Sequence, residues 1–297
     1  MSTLPPPVAH APRQREVPAR VDPETAPVLG IPLALTSYDG AMDWMDALVA
    51  RRERGYVVAA AVHCVMLCQD DPELMDAVLG ASLTLPDGQP LVWALAAMGY
   101  HLPSRVYGPE LMARYFARSA RTGTRMYLYG GRNQGALVQL ALNLRRRFPG
   151  VQIVGGYSPP YRELTDDERA WVVEDIERSE ADVVWVGIGV PKQEKWMAEM
   201  RPHLTTPVLI GVGAAFDFHA DLIPQAPSWM QASGLEWSYR LGREPRRLWR
   251  RYLTYNPRFV AAIARELASS RSDRASLPAS TAAMRGAARG RGKRASR

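Results

Sequence analysis

The sequence predicts an α/β fold, a mostly parallel Rossmann-like sheet flanked by helices, with a basic helical C-terminal appendage. Two observations predict it. Short β-rich runs alternate with longer segments of helical periodicity, the order expected when parallel strands are joined by helices. Several of the short runs are almost continuously apolar, as strands covered on both faces must be. Two of them also end in glycine, Tyr127-Leu128-Tyr129-Gly130-Gly131 and Val186-Gly187-Ile188-Gly189, which bears on ligand binding and not on the fold.

Taken in order, residues 1–28 are rich in proline and read as a disordered leader. They are broken by Arg and Glu and have no apolar core of a secretory signal. An α/β core is expected over 29–232. Its first strands are read at Ile31 to Leu35 and Tyr56 to Val62. Between them, Ala41 to Arg54 places Met42, Met45, Leu48 and Val49 on one side of a helix. The only two cysteines, Cys64 and Cys68, fall on adjacent turns of a helix. Two cysteines make neither a disulfide framework nor a four-cysteine zinc module, and buried free thiols are the plain reading. Gly108 precedes Pro109, which suits the first position of a helix. Further strands are read at Met126 to Tyr129, Val151 to Val154, Asp182 to Ile188 and Pro207 to Val212. Helices fill the gaps: Gln134 to Phe148 carries Leu137, Leu140, Ala141 and Leu144 at helical spacing, and Thr165 to Arg178 opens on Thr165-Asp166-Asp167. The basic appendage is placed at 233–268, and 269–297 reads as a disordered basic tail.

The charge distribution excludes some classes. The net charge is +7, and Arg271 to Arg297 alone contains eight Lys or Arg and one Asp, also +7. The rest of the chain is therefore near neutral. The tail is either simply solvated or in contact with anionic lipid or nucleic acid. With the excess confined there and no recognition motif in the core, a nucleic-acid binder is disfavoured. No run of roughly eighteen apolar residues exists, so no spanning helix is expected and the chain is placed in the cytoplasm.

Four segments carry chemistry. Leu85-Pro86-Asp87-Gly88 sets a carboxylate on a turn, and Arg105-Val106-Tyr107-Gly108-Pro109 sets an arginine before a helix. Gly189-Val190-Pro191-Lys192-Gln193-Glu194 follows a strand. The last segment runs from Gly234-Leu235-Glu236-Trp237 through Tyr239-Arg240-Leu241 to Glu244-Pro245-Arg246-Arg247-Leu248-Trp249-Arg250-Arg251. Glycines at strand ends let a phosphate approach backbone N–H groups, though tight turns need glycine too. Taken singly, Asp87-Gly88 is equally a plain turn, Arg105 a surface ion pair, and Lys192-Gln193-Glu194 the polar start of a helix.

In this order, and over about Val57 to Phe259, the segments resemble the WecG/TagA/CpsF family of glycosyltransferases, in particular its exopolysaccharide branch. The resemblance implies an inverting transfer that needs no metal or other cofactor, from a nucleotide-sugar donor to an undecaprenyl-diphosphate-linked sugar. By the same resemblance Asp87 is the catalytic base, taking a proton from the acceptor hydroxyl. Arg105 and Gln193 fall near the nucleotide sugar. Arg240, Arg247 and Arg250 fall in an appendage that reaches over the site and neutralises the leaving diphosphate, a role fixed positive charge can fill. His63, Gly130, Gly131 and Gly189 are candidate donor contacts.

The stretch also mixes arginine with Trp249, Tyr252, Leu253, Tyr255 and Phe259, the composition either of an interfacial helix in peripheral contact with a membrane or of a solvated basic helix packed on the core. Relatives imply a homo-oligomer, which nothing in this sequence decides. Two departures stand out. Where the family commonly has Thr-x-Asn, this chain reads Ala59-Ala60-Ala61, and Asp221 stands where glycine is usual. The alanines motivate a competing reading, a non-catalytic module that binds a nucleotide sugar or a lipid diphosphate.

Overall fold

The computed structural model describes residues 20–276 apart from 228, 231 and 232, and within that range it leaves undescribed the side chains of 247, 251 and 270–276. Most of the expected leader and most of the expected tail lie outside the described residues.

The chain opens with a hairpin, β1 (Thr25–Val28) and β2 (Ile31–Ala34), paired antiparallel. Its two-residue turn, Leu29-Gly30, has φ of 49° and 82°, the double left-handed turn that matches the twist of paired strands. This strand falls inside the segment expected to be a disordered leader. Pro27 hides it in the sequence, and a two-stranded ribbon tolerates proline because only one edge of each strand is paired. The hairpin lies against the edge strand β4.

Six parallel strands form the main sheet: β3 (Gly55–Ala60), β4 (Leu83–Pro86), β5 (Arg125–Gly130), β6 (Gln152–Tyr157), β7 (Val183–Gly187) and β8 (Val208–Gly211). Their order is β4-β3-β8-β7-β5-β6. All neighbours run parallel, so every carboxyl end lies on one rim. β4 is a short strand that apolar patterning alone does not separate from its surroundings.

Helices cover both faces. They are α1 (Tyr38–Arg51), α2 (Val62–Cys68), α3 (Pro72–Leu79), α4 (Gln89–Ala97), α5 (Gly108–Thr122), α6 (Gln134–Arg147), α7 (Asp166–Ser179), α8 (Lys192–Met200) and the short α9 (Ala215–His219). Local sequence starts several of them. Ser37, Asp71 and Asn133 cap α1, α3 and α6 through their side chains, and Thr165 with Glu168 forms a reciprocal capping box at α7.

Strand alternation divides the core in two. Val58, Ala60, Tyr127, Tyr129, Val184 and Val186 pack with the buried faces of α2, α7 and α8. Val57, Met126, Leu128, Val183, Trp185 and Ile210 pack with α1, α5 and α6. Cys64 and Cys68 are free and buried in the first of these layers.

The C-terminal part is two helices, α10 (Glu236–Arg243) and α11 (Pro245–Ser276). α11 packs against α2 and contributes Phe259 and Ile263 to the first core layer. It runs to Ser276, beyond the expected start of the tail at 269. Pro257 sits inside it. Asp221 has φ of 58°, a left-handed backbone that favours glycine, and its Oδ2 accepts a hydrogen bond from Asn143 Nδ2 at 2.9 Å.

Candidate active site

A cleft of about 1140 Å³ opens along the carboxyl ends of β3, β4, β5, β7 and β8 and is roofed by α10 and α11. This is where open α/β sheets bind ligands, since loops and helix N-termini converge there.

Asp87 follows β4 directly. Its backbone N–H donates to Ala60 O at 2.9 Å, and the Val106 N–H donates to Pro86 O at 3.0 Å. These bonds hold the 105–108 loop beside the carboxylate. Gly108, at the start of α5, donates its N–H to Asp87 Oδ2 at 3.3 Å. A Cβ on Gly108 would lie 3.3 Å from that oxygen, so a larger residue would have to push the carboxylate back by a few tenths of an ångström. Asp87 sits deep in the cleft while keeping part of its surface on the cavity. Burial pushes its carboxyl up to about 7. Arg105 opposes the rise, Glu236 adds to it, and the Gly108 N–H and Arg240 oppose it. A carboxylate poised there can accept a proton near neutral pH.

Arg105 is largely buried and pairs with Glu236 from α10, Nη2 to Oε2 at 2.7 Å. Its guanidinium lies over the Tyr107 ring, 4.2 Å from the centroid. Tyr107 donates its hydroxyl to Glu236 Oε1 at 2.6 Å. Burial first, and then the Glu236 carboxylate, hold the Tyr107 phenol well above its ordinary value, so it remains a donor. Tyr38 Oη accepts the Tyr107 N–H at 3.1 Å and closes the cluster from α1.

Arg240 lines the cleft four residues beyond Glu236 on α10, with its guanidinium 5.6 Å from the Phe218 ring centroid. Its Nε is buried without a hydrogen-bond partner among the described residues. Gln193, at the N-terminus of α8, is 2 % exposed and donates Nε2 to Glu194 Oε1 at 2.8 Å, while its Oε1 has no partner among the described residues. His63 lines the same cleft and meets Tyr255 of α11 edge-on at 5.1 Å. Gly131 and Gly189 line it too, with φ of 91° and 83°.

Thus Asp87, Arg105, Gln193, Arg240, His63, Gly131 and Gly189 come together. Gly130 does not line the cleft. Its φ is 130°, and a Cβ there would meet the Gly187 carbonyl at 2.6 Å, so its glycine serves the close approach of two strand ends. Arg250 is exposed and outside the cleft lining, with its guanidinium over Trp249 at 5.3 Å. The side chain of Arg247 lies outside the described residues. Ala59 and Ala61 both line the cleft, so the positions read as lacking polar side chains do face the ligand space.

Sequence reasoning did not assign Glu236 or Tyr107, although both stand inside motifs it singled out. The signal that could have found Glu236 is an acid one helical turn before Arg240 in the appendage. Arg132 also lines the rim and binds Asp217 through Nε to Oδ1 at 2.9 Å.

The profile of the family described as "Glycosyl transferase WecG/TagA/CpsF family" matches residues 26–273. Two similar proteins are each named N-acetylglucosaminyldiphosphoundecaprenol N-acetyl-beta-D-mannosaminyltransferase. The one from Bacillus subtilis (strain 168) is 26% identical over 82% of this chain and 92% of its own length. The one from Bacillus spizizenii (strain ATCC 23059 / NRRL B-14472 / W23) is 30% identical over 70% of this chain and 78% of its own length.

Proposed function

The chain belongs to the WecG/TagA/CpsF family of glycosyltransferases, and from that premise we propose that it moves a hexose or N-acetylhexosamine from a nucleotide sugar to an undecaprenyl-diphosphate-linked sugar, with inversion, in surface polysaccharide synthesis. The names of the two relatives make a nucleotide-activated N-acetylmannosamine the first donor to try.

The observation that carries this reading is the meeting of Asp87 with two arginines, Arg105 and Arg240, in one cleft at the sheet's carboxyl rim. In the proposed reaction Asp87 takes the proton of the acceptor hydroxyl as its oxygen bonds to the anomeric carbon. The bond from that carbon to the diphosphate oxygen breaks, and the nucleoside diphosphate leaves with the electron pair. Arg105 and Arg240 carry the positive charge that meets it, in a part of the cleft where water screens little. Gln193 offers its amide to the sugar or the leaving phosphate. Charge supplied in this way is the reason to expect transfer without a metal.

Contact with a membrane surface is part of the proposal. Trp249 and Leu253 are exposed on α11, 46 % and 64 %, beside the exposed Arg246 and Arg250. Aromatic and aliphatic groups flanked by arginine suit the boundary between headgroups and acyl chains. No helix among the described residues is long and apolar enough to cross a membrane.

The test is transfer from a panel of UDP- and GDP-sugars to a short-chain polyprenyl-diphosphate sugar, with and without EDTA. Transfer that survives EDTA is the expected result. Loss of transfer with EDTA, restored by a divalent cation, would refute metal independence. Binding of a nucleotide sugar without turnover of any donor would favour the non-catalytic binding module that Ala59 and Ala61 motivate.

A further inference from the structure

We infer that Glu236 is a positioning residue: seated from α10 against Arg105 and Tyr107, it orients the guanidinium beside Asp87. The inference deepens the transferase reading and rests on it for the roles of Asp87 and Arg105.

Glu236 is 8 % exposed, so its charge is not spent on solvent. Both of its oxygens are used within the cluster, Oε2 by Arg105 at 2.7 Å and Oε1 by Tyr107 at 2.6 Å. Arg105 is thereby fixed on two sides, by the carboxylate and by the Tyr107 ring at 4.2 Å. A guanidinium has five N–H donors in a rigid fork, and Glu236 takes one of those of Arg105. The others remain for a diphosphate, already aimed. Arg240 is carried on the same helix, so the docking that brings Glu236 to Arg105 also brings the second cation to the cleft.

Glu236 also acts on the base. The charged and titratable groups around Asp87 are Arg105 and Tyr107 on the loop before α5, Glu236 and Arg240 on α10, and Tyr38 on α1, with His63 lining the same cleft. Among them Glu236 is a carboxylate that raises the proton affinity of Asp87, directly and by occupying Arg105. Replacing its charge must move the Asp87 titration downward.

The experiment uses the full chain. The Asp87 carboxyl is titrated by infrared difference spectroscopy against Asp87→Asn, and UDP affinity is measured by calorimetry, for wild type, Glu236→Gln and Glu236→Asp. In the isosteric Glu236→Gln variant the Asp87 midpoint should fall by roughly one pH unit. UDP should bind about tenfold more weakly as Arg105 loses its orientation, a loss of about 1.4 kcal/mol. Glu236→Asp keeps the charge but is one methylene shorter. It should return the midpoint to the wild-type value and leave UDP binding weak.

An unmoved Asp87 midpoint in Glu236→Gln overturns the inference, as does tighter UDP binding, which would make Glu236 a plug on Arg105. A Glu236→Asp protein that titrates like Glu236→Gln overturns it as well, since packing and not charge would then be at work. If Glu236→Gln does not fold, the Asp variant decides alone, and wild-type UDP affinity there sinks the proposal. Transfer kinetics run in parallel: a chain that turns over no donor ends the transferase reading, whereas the titration needs no turnover and still decides the role of Glu236.

Discussion

Asp87 gathers the opposing forces of the site in one side chain. Burial favours its protonated form, and two arginines with a helix-start N–H favour its charged form; burial wins, and the carboxyl sits at about 7. In the proposed role of base it acts only when ionised, so kcat/KM should fall as pH drops through about 7, where an ordinary aspartate would hold its charge to far lower pH. The linkage to stability has a definite sign. The folded chain binds this proton more tightly than the unfolded chain does, so stability declines as pH rises from 3.8 to about 7. Asp87→Asn should abolish transfer and also raise the thermal unfolding temperature relative to wild type, by more at pH 8 than at pH 5. A variant no more stable than wild type at pH 8 would refute the buried-charge account. Asp221 shows a residue-scale departure with a physical reason. Its backbone is left-handed, which explains why glycine is usual there, and the Asn143 contact offsets part of the strain.

Among the elements, α2 carries an opening that its sequence leaves unused. Ala61 is its N-cap, with φ of −105° and ψ of 170°, and makes no side-chain hydrogen bond to the first turn. The family's usual asparagine falls at this position, and asparagine is among the best N-caps. Ala61→Asn should therefore stabilise the protein by about 1 kcal/mol, read as a higher midpoint in urea unfolding with an unchanged slope. A lower midpoint would mean that the side chain turns to the cleft instead. What was legible at this scale follows from locality. The capping of α7 by Thr165 and the glycine ends of β5 and β7 are written in neighbouring residues. The ion pair of Arg105 with Glu236 spans 131 positions, and no local pattern announces it. Gly130 and Gly131 are adjacent and look alike in sequence. Only the position of β7 next to β5 gives one a packing role and the other a place on the cleft.

Across the whole molecule, the parallel sheet was readable because its central strands are apolar on both faces, while β1 was hidden at the end of a proline-rich stretch and β4 among the apolar residues of α3 just before it. The site was readable largely through its resemblance to a family, since Asp87-Gly88 alone is indistinguishable from a turn. Charge and apolar surface are also divided along the chain, with the exposed Trp249 and Leu253 on the helix that roofs the cleft. The double change Trp249→Ser with Leu253→Ser should reduce sedimentation with anionic vesicles several-fold while leaving transfer to a water-soluble acceptor analogue intact. Equal vesicle binding by the two proteins would place the membrane contact elsewhere.

Strand and helix order also sets a timetable. The sheet, Asp87 and Arg105 are all in place before Leu235 in the chain, while Glu236 and Arg240 come after it. Chains emerge from the ribosome N-terminal end first, so a core able to fold early would wait for its last helices before the cleft acquires its second cation and the partner of its first. On the proposed roles of Arg105, Arg240 and Glu236, a growing chain carries the scaffold of the reaction without the means to run it until α10 has been translated.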